Sequence, residues 1–294
     1  MPATPPPVTS HPLSVVNGTA QPLDAASVSV RDRGFTLADG LFETMRVSKG
    51  RVFQLTEHLE RLEHGLAVLR MPSVANLRET VIDAVQRFGG AQGSVRLTVT
   101  RGIGSAGLTP SVSSSPTVVV TVGDLPAFAP DTYEKGLAAY VPRGRRNPRS
   151  ATAGVKTLSY TDAVVGLLEA QEHGADEALF LDVDGHCSEA SASNLFVWTG
   201  STLVTPPVSC GALPGITRAT VLRLATEMGL EVAERPCTVD DVLASEEAFL
   251  TSSLRGIAPL VRIGAHALGE GRPGALTHRI SAAHTQLLDR ETAG

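Results

Sequence analysis

Of the 25 basic residues in this sequence only three are lysines: Lys49, Lys135 and Lys156. Lys49 falls in the turn Ser48-Lys49-Gly50-Arg51, and Lys135 stands beside Tyr133 and Glu134, so both read as surface residues. Lys156 sits in Ala153-Gly154-Val155-Lys156-Thr157-Leu158, with no charged neighbour and an apolar flank. A buried amine loses ammonium character and becomes a nucleophile, which imine formation with a carbonyl requires and arginine cannot supply. The same surroundings suit a structural or interfacial lysine.

Two further segments have the makings of a site. Ser188-Glu189-Ala190-Ser191-Ala192-Ser193-Asn194 frames one carboxylate with small hydroxyls, between the turn Asp184-Gly185 and the apolar run Leu195-Phe196-Val197. Such a carboxylate can be held ionised in a pocket; a capping or turn glutamate fits the spacing as well. Leu213-Pro214-Gly215-Ile216-Thr217 leads into an apolar-periodic stretch, so the amides of Ile216 and the amide and hydroxyl of Thr217 stand at a helix start, where an anion such as phosphate is favoured. Many helices begin this way and bind nothing, and the segment is neither a P-loop nor a GxGxxG fingerprint.

The elements around these segments follow from periodicity. Residues 26–30 and 41–47 alternate like strands, and the turn at Gly50 leads into a strand over 52–55. From Thr56 the pattern changes: Leu59, Leu62, Leu66 and Leu69 recur at helical spacing, with Thr56 as N-cap. A second helix is expected over 74–88, then strands over 94–100, 117–122 and 137–141, giving an α+β unit. The Arg/Pro/Gly stretch with Arg143, Arg145, Arg146 and Arg149 reads as a solvated linker. Beyond it come a helix over 161–173, strands over 177–181, 194–199 and 202–205, the helix after Gly215 ending at Gly229, a strand over 231–234, a helix over 239–244 and a strand over 248–251. The expected organisation is a disordered proline-rich tail over 1–20, a small domain over 21–141, a linker over 142–154 and a large domain over 155–294.

Composition narrows the class. With 42% hydrophobic and 19% charged residues the chain can bury a substantial core. A net charge of -5 argues against nucleic-acid binding, which needs a concentrated basic face. Three widely spaced cysteines, Cys187, Cys210 and Cys237, suggest neither a disulfide framework nor a zinc site, and a reducing cytoplasm fits them. No apolar run is long enough to span a membrane, and the first residues lack a signal-peptide pattern.

Taken together, the segments resemble the class IV aminotransferase family, the fold-type IV pyridoxal-phosphate enzymes. The resemblance runs from Asp32 to Leu260 through Asp32-Arg33-Gly34-Phe35, Gly40-Leu41-Phe42-Glu43, His58-Leu59-Glu60-Arg61-Leu62, Lys156-Thr157-Leu158-Ser159-Tyr160, Glu189 with Asn194-Leu195-Phe196, Leu213-Pro214-Gly215-Ile216-Thr217-Arg218 and Thr251-Ser252-Ser253. It implies a two-domain α+β fold with a small α/β N-terminal domain and a larger C-terminal α/β domain, pyridoxal 5'-phosphate as cofactor, a homodimer and no metal.

Residue by residue, the resemblance implies that Lys156 is the Schiff-base lysine and proton shuttle and that Glu189 partners the pyridine nitrogen. Arg61 would clamp the phosphate with Ile216 and Thr217, Ser253 would lie near the phosphate or substrate carboxylate, and Tyr160 would approach the ring hydroxyl. His58, three residues before Arg61 on the same helix, reads as structural. The substrate is a small molecule: an amino acid, an amine or aminodeoxychorismate. The carboxylate trap of D-amino acid transaminases is missing, because Phe42, Ala106 and Leu108 occupy its positions. Arg96 is the candidate for substrate carboxylate recognition, with Phe42 and Leu254 beside the substrate, and a plain strand-surface arginine remains the alternative. Leu254-Arg255-Gly256-Ile257 after the serine turn resembles the lyase branch, although Ser252 stands where that branch usually has asparagine. The expected activity is therefore that of a 4-amino-4-deoxychorismate lyase, which eliminates pyruvate to leave 4-aminobenzoate. The alternative is a transaminase acting between an amino acid or amine and a 2-oxo acid.

Overall fold

The computed structural model describes residues 11–104, 107–110 and 115–293. Expectations for the first ten residues of the tail and for Ala106 lie outside them. The described chain forms two compact units, one drawn from Met1–Pro126, Lys156–Leu158 and Leu288–Gly294 and the other from Ala127–Val155 and Ser159–Leu287.

The first unit contains β1 (Leu13–Val16), β2 (Thr19–Pro22), α1 (Arg33–Leu37), β3 (Gly40–Ser48), β4 (Arg51–Val52), α2 (Leu55–Val68), α3 (Leu77–Phe88), β5 (Gln92–Thr100) and β6 (Thr117–Gly123). Its strands form one antiparallel sheet in the order β2-β1-β6-β5-β3-β4. Strand parity explains the burial: Val95, Leu97 and Val99 of β5 are buried while Arg96 between them is exposed. Met45, Val47, Val120 and Val122 add to the core, as do Leu62 and Leu66 from α2 and Val81, Val85 and Phe88 from α3.

Several expectations need correction in this unit. Residues 13–22, placed largely in the tail, form the β1–β2 hairpin, and β1 also pairs with β6. Residues 26–30 form no strand, although they alternate, because no neighbouring strand pairs with them. Helix α2 begins one residue before Thr56, capped by Gln54 in the left-handed region at φ 53, which lets Leu55 enter the core. Helix α3 begins at Leu77 rather than 74, because Asn76 at φ 59 breaks the helical path just before it.

The second unit contains α4 (Asp131–Glu134), β7 (Leu137–Tyr140), β8 (Arg145–Arg146), α5 (Thr161–Glu172), β9 (Glu177–Asp182), β10 (Cys187–Ala190), β11 (Asn194–Trp198), β12 (Thr202–Thr205), α6 (Ile216–Glu227), β13 (Glu231–Glu234), α7 (Val239–Leu243), β14 (Glu247–Ser252), β15 (Gly256–Ile263) and β16 (His266–Ala267), followed by α8 (Ala275–Glu291), which continues into the first unit's last segment. The main strand order is β10-β9-β7-β15-β14-β11-β12-β13, and an extra pairing of β10 with β11 closes six of these strands into a ring. Leu195 and Val197 of β11 pack in one cluster with Leu179, Leu250 and Leu260, while Phe196 between them packs in another with Phe249, Val221 of α6 and Ile280 of α8. Both faces of β11 are therefore covered, and its sequence reads as a continuous apolar run.

Two further expectations give way here. Strand β7, assigned from sequence to the N-terminal domain, pairs parallel with β15 and β9 and so belongs to this unit. The stretch 142–154, read as a solvated linker, contains β8, whose Arg145 and Arg146 pair with Leu181 and Asp182 of β9.

Candidate active-site residues

Lys156 is carried by a tripeptide bonded along the start of β3. Phe42 donates its amide to the Lys156 carbonyl at 3.1 Å, Leu158 donates to Gly40 at 3.0 Å, and Thr157 bridges Leu41. The Lys156 amine is thereby placed over the Phe42 ring, with Nζ 4.5 Å from its centroid. Lys156 is half-buried. The Arg96 guanidinium covers the same ring at 3.7 Å. Arg96 pairs with Thr44 and Phe42 with Thr98, so the arginine and the ring are diagonal neighbours on adjacent strands.

Arg61 projects from α2 onto Glu43 of β3, donating through Nε at 2.8 Å and Nη2 at 2.6 Å. His58 reaches the same carboxylate at 2.6 Å. Glu43 and His58 are both almost fully buried. Burial alone would raise the Glu43 pKa, but hydrogen bonds and charge from Arg61 and His58 outweigh it and hold the group below the usual carboxylate range. For His58 burial dominates and pushes its pKa down, although its bond to Glu43 acts the other way. The imidazole is therefore a neutral donor to Glu43, a structural role consistent with its helix position.

Glu43 was quoted in the sequence without a role. Its signal was present: it shares strand parity with Leu41, Met45 and Val47, all core residues, so an inward charge had to find partners.

In the second unit Glu189 stands on β10 at the pairing that closes the ring, opposite Asn194. Its Oε2 accepts the Leu213 amide at 2.8 Å, and its Oε1 lies 3.2 Å from Arg146 Nε. The Arg146 guanidinium also covers the Phe180 ring at 4.3 Å. Sequence reasoning missed Arg146 because only strand register, and no local pattern, separates it from the solvated arginines beside it.

Asn194 donates Nδ2 to the Leu213 carbonyl at 2.8 Å, so Glu189 and Asn194 together fix both polar groups of one residue at the approach to α6. Gly215 then caps the helix pressed against Asn194: an added Cβ would stand 2.0 Å from Asn194 Oδ1. Ile216 and Thr217 supply the first-turn amides of α6, and Thr217 is buried. Ser253 and Leu254 form the half-buried turn between β14 and β15, and Tyr160 is half-buried immediately before α5. Arg255 of that turn reaches Glu177 at 3.5 Å, and its carbonyl accepts the Tyr133 hydroxyl at 2.8 Å. Leu108, at a position of the D-amino acid trap, is exposed.

A mixed ring of strands in one unit, an antiparallel sheet carrying a half-buried lysine in the other, and a braced carboxylate beside a glycine-started helix define a class. Residues 40–263 match the amino-transferase class IV model, and the chain belongs to that family. The branched-chain-amino-acid aminotransferase of Escherichia coli strain K12 is 31% identical over 289 residues, covering 94% of this chain and 93% of its own. Among solved structures, the branched-chain amino acid aminotransferase of E. coli matches with a TM-score of 0.91 at 28% identity over 96% of both chains. The 4-amino-4-deoxychorismate lyase from Pseudomonas aeruginosa matches with a TM-score of 0.83 at 32% identity, over 92% of this chain and 97% of its own. A second branched-chain amino acid aminotransferase, from T.th. and solved with pyridoxamine 5'-phosphate, matches with a TM-score of 0.89 at 26% identity, over 96% of this chain and 95% of its own. The protein is a pyridoxal-phosphate-dependent enzyme with the two-domain α+β fold of this family. Among the described residues no helix is long and apolar enough to cross a membrane.

The donor set suits that cofactor. A carboxylate held by an amide and an arginine offers an anionic partner to a ring nitrogen, and the first-turn amides of Ile216 and Thr217 in α6 offer donors to a phosphate.

Proposed function

We propose that the protein is a transaminase moving an amino group between an amino acid or amine and a 2-oxo acid, and that it works as a homodimer. The observation that carries this reading over the lyase is the full-length likeness to proteins named branched-chain aminotransferases. The lyase expectation from sequence remains the second reading, favoured by the Leu254-Arg255-Gly256 turn and by the 32% identity to the P. aeruginosa lyase.

Pyridoxal phosphate, when bound, supplies an aldehyde carbon and an electron-withdrawing ring. Lys156 would hold the group covalently through Nζ and would take up the substrate α-proton at that nitrogen. Glu189 would pair with the ring nitrogen and favour its protonated form. Arg61, steered by Glu43, would serve as a phosphate-binding guanidinium, and the Ile216 amide with the Thr217 amide and hydroxyl would serve as phosphate donors. Arg96 and Phe42, which stack on one another, are assigned to substrate recognition, as are Ser253 and Leu254 of the β14–β15 turn, and Tyr160 is assigned to the ring hydroxyl.

The test is a product assay offering aminodeoxychorismate and, separately, a panel of amino donors with pyruvate or 2-oxoglutarate. Acceptor-dependent amino transfer supports the transaminase, and release of 4-aminobenzoate without an acceptor establishes the lyase instead. Lys156→Ala abolishes either reaction; turnover retained in that variant would refute the mechanism. Light scattering on the purified enzyme measures the subunit number.

A further inference from the structure

Outside these residues, one group of dissimilar ligands converges within the second unit: Asp182 at the end of β9, His186 in the turn after it and Cys210 in the single helical turn before Leu213. One potential ligand atom from each lies within 4.8 Å of the other two. Asp182 and Cys210 are buried, whereas the His186 side chain is 39% exposed. Asp182 Oδ1 accepts the amides of Asp184 and His186, both at 2.9 Å, which fixes the carboxylate. Its other oxygen faces His186 Nδ1 at 3.4 Å.

We propose that Asp182, His186 and Cys210 form a binding site for a thiophilic divalent cation of the zinc type, with solvent as the fourth ligand. The chemistry matches: thiolate, imidazole and carboxylate are the zinc donor set, and bonds of about 2.0–2.3 Å put tetrahedral ligands some 3.3–3.8 Å apart. The Asp182–His186 pair already has that separation, and the partly exposed imidazole has room to adjust. The turn hydrogen bonds account for one carboxylate oxygen only. The Cys210 thiol and the His186 imidazole both meet the Asp182 carboxylate directly, so the three donor types already stand together where a cation can take the place of the thiol proton.

The position gives the cation a role. His186 precedes Glu189 by three residues and Cys210 precedes Leu213 by three, and Leu213 donates to Glu189. A cation at this point staples the two segments that hold the Glu189 carboxylate, without touching it. It is a structural site, independent of which reaction the enzyme catalyses.

The experiment uses chelator-treated holoenzyme equilibrated with zinc chloride alone, counting bound metal and recording X-ray absorption at the zinc edge. One zinc per chain is expected, with one sulfur scatterer near about 2.3 Å and the remainder nitrogen or oxygen near about 2.0–2.2 Å. His186→Ala and Cys210→Ser are each expected to weaken binding by more than about tenfold, since even outer-shell changes cost about that much. Zinc should raise the melting temperature of the parent and leave that of His186→Ala unchanged. His186→Ala removes an exposed side chain, so the comparison stands even if Cys210→Ser proves unstable. Zinc bound without sulfur, binding equal in parent and variants, or no stoichiometric binding overturns the proposal.

Discussion

Arg146 Nε lies 3.2 Å from Glu189 Oε1, while the Leu213 amide holds the other oxygen of the carboxylate. The arginine comes from β8, which pairs with β9 and not with the strand bearing the glutamate. Its position depends on register in the sheet, and Phe180 beneath the guanidinium keeps it there.

Replacing Arg146 with Gln removes a charged partner of Glu189 and keeps most of the side-chain volume. A hydrogen bond or contact to a charged group contributes about 1.5 kcal/mol or more, roughly tenfold in an equilibrium. Arg146→Gln should lower cofactor retention by about that factor, read from the cofactor absorbance after dialysis at graded concentrations. Retention equal to the parent would show that Arg146 is not needed to position the carboxylate.

Glu43 should matter to stability as well as to Arg61. Truncating it leaves the Arg61 guanidinium and the His58 ring without their buried acceptor, and breaking a buried pair in this way costs about 3–5 kcal/mol. Glu43→Ala is expected to lose that much in denaturant unfolding, and a loss under about 1 kcal/mol would mean the pair is effectively solvent-screened.

Both groups of that cluster make acid destabilising. The folded pKa of His58 is depressed, so its contribution is complete above its unfolded value near about 6.5 and is lost as pH falls through the folded one. That of Glu43 is depressed too, so a second loss follows below about 4.3. Melting temperature measured from pH 7 downward should decline in two stages. His58→Gln should remove the earlier stage and leave the later one in place.

Gly215 has φ -69 and ψ 138, angles that alanine adopts readily, so any cost of Gly215→Ala is steric. The added Cβ would stand 2.0 Å from Asn194 Oδ1, whose amide is locked on Leu213. Overpacking of this kind costs about 1–3 kcal/mol. The variant should melt lower and hold phosphate more weakly, as measured by competition with inorganic phosphate during cofactor loading. An unchanged melting temperature would show that Asn194 gives way freely.

Arg96→Leu keeps a side chain over Phe42 and removes the charge. If Arg96 recognises the substrate carboxylate, kcat/KM for donors or acceptors that carry it falls about 10- to 100-fold, while cofactor absorbance is unchanged. Equal loss for substrates with and without that carboxylate would assign the residue to packing.

What was legible in the sequence follows from how local each signal is. The helices after Tyr160 and Gly215 announced themselves by period, and the strands around Leu195 and Leu250 by short continuous apolar runs that bury both faces. The scarcity of lysine drew attention to Lys156, and the hydroxyl-framed Glu189 stood out beside an apolar strand. What escaped was set by partners distant in sequence. The β1–β2 hairpin exists because β6 pairs with it, β7 belongs with β15 and β9, and Arg146 reaches Glu189 only because β8 lies along β9. The choice between lyase and transaminase turned on a few pocket residues whose types serve both reactions, and likeness over the whole chain shifted that balance.

The three residues Lys156–Leu158 are bonded to the start of β3 and count with the first unit, although the chain on either side of them counts with the second. The last residues, from Leu288 onward, return to the first unit as well, where Lys49 pairs with Asp289. No single cut in the polypeptide can therefore yield two self-sufficient pieces. A fragment ending at the first boundary would lack the Lys156 amine, and gene fission or domain exchange in this protein has to carry that tripeptide as a separate graft.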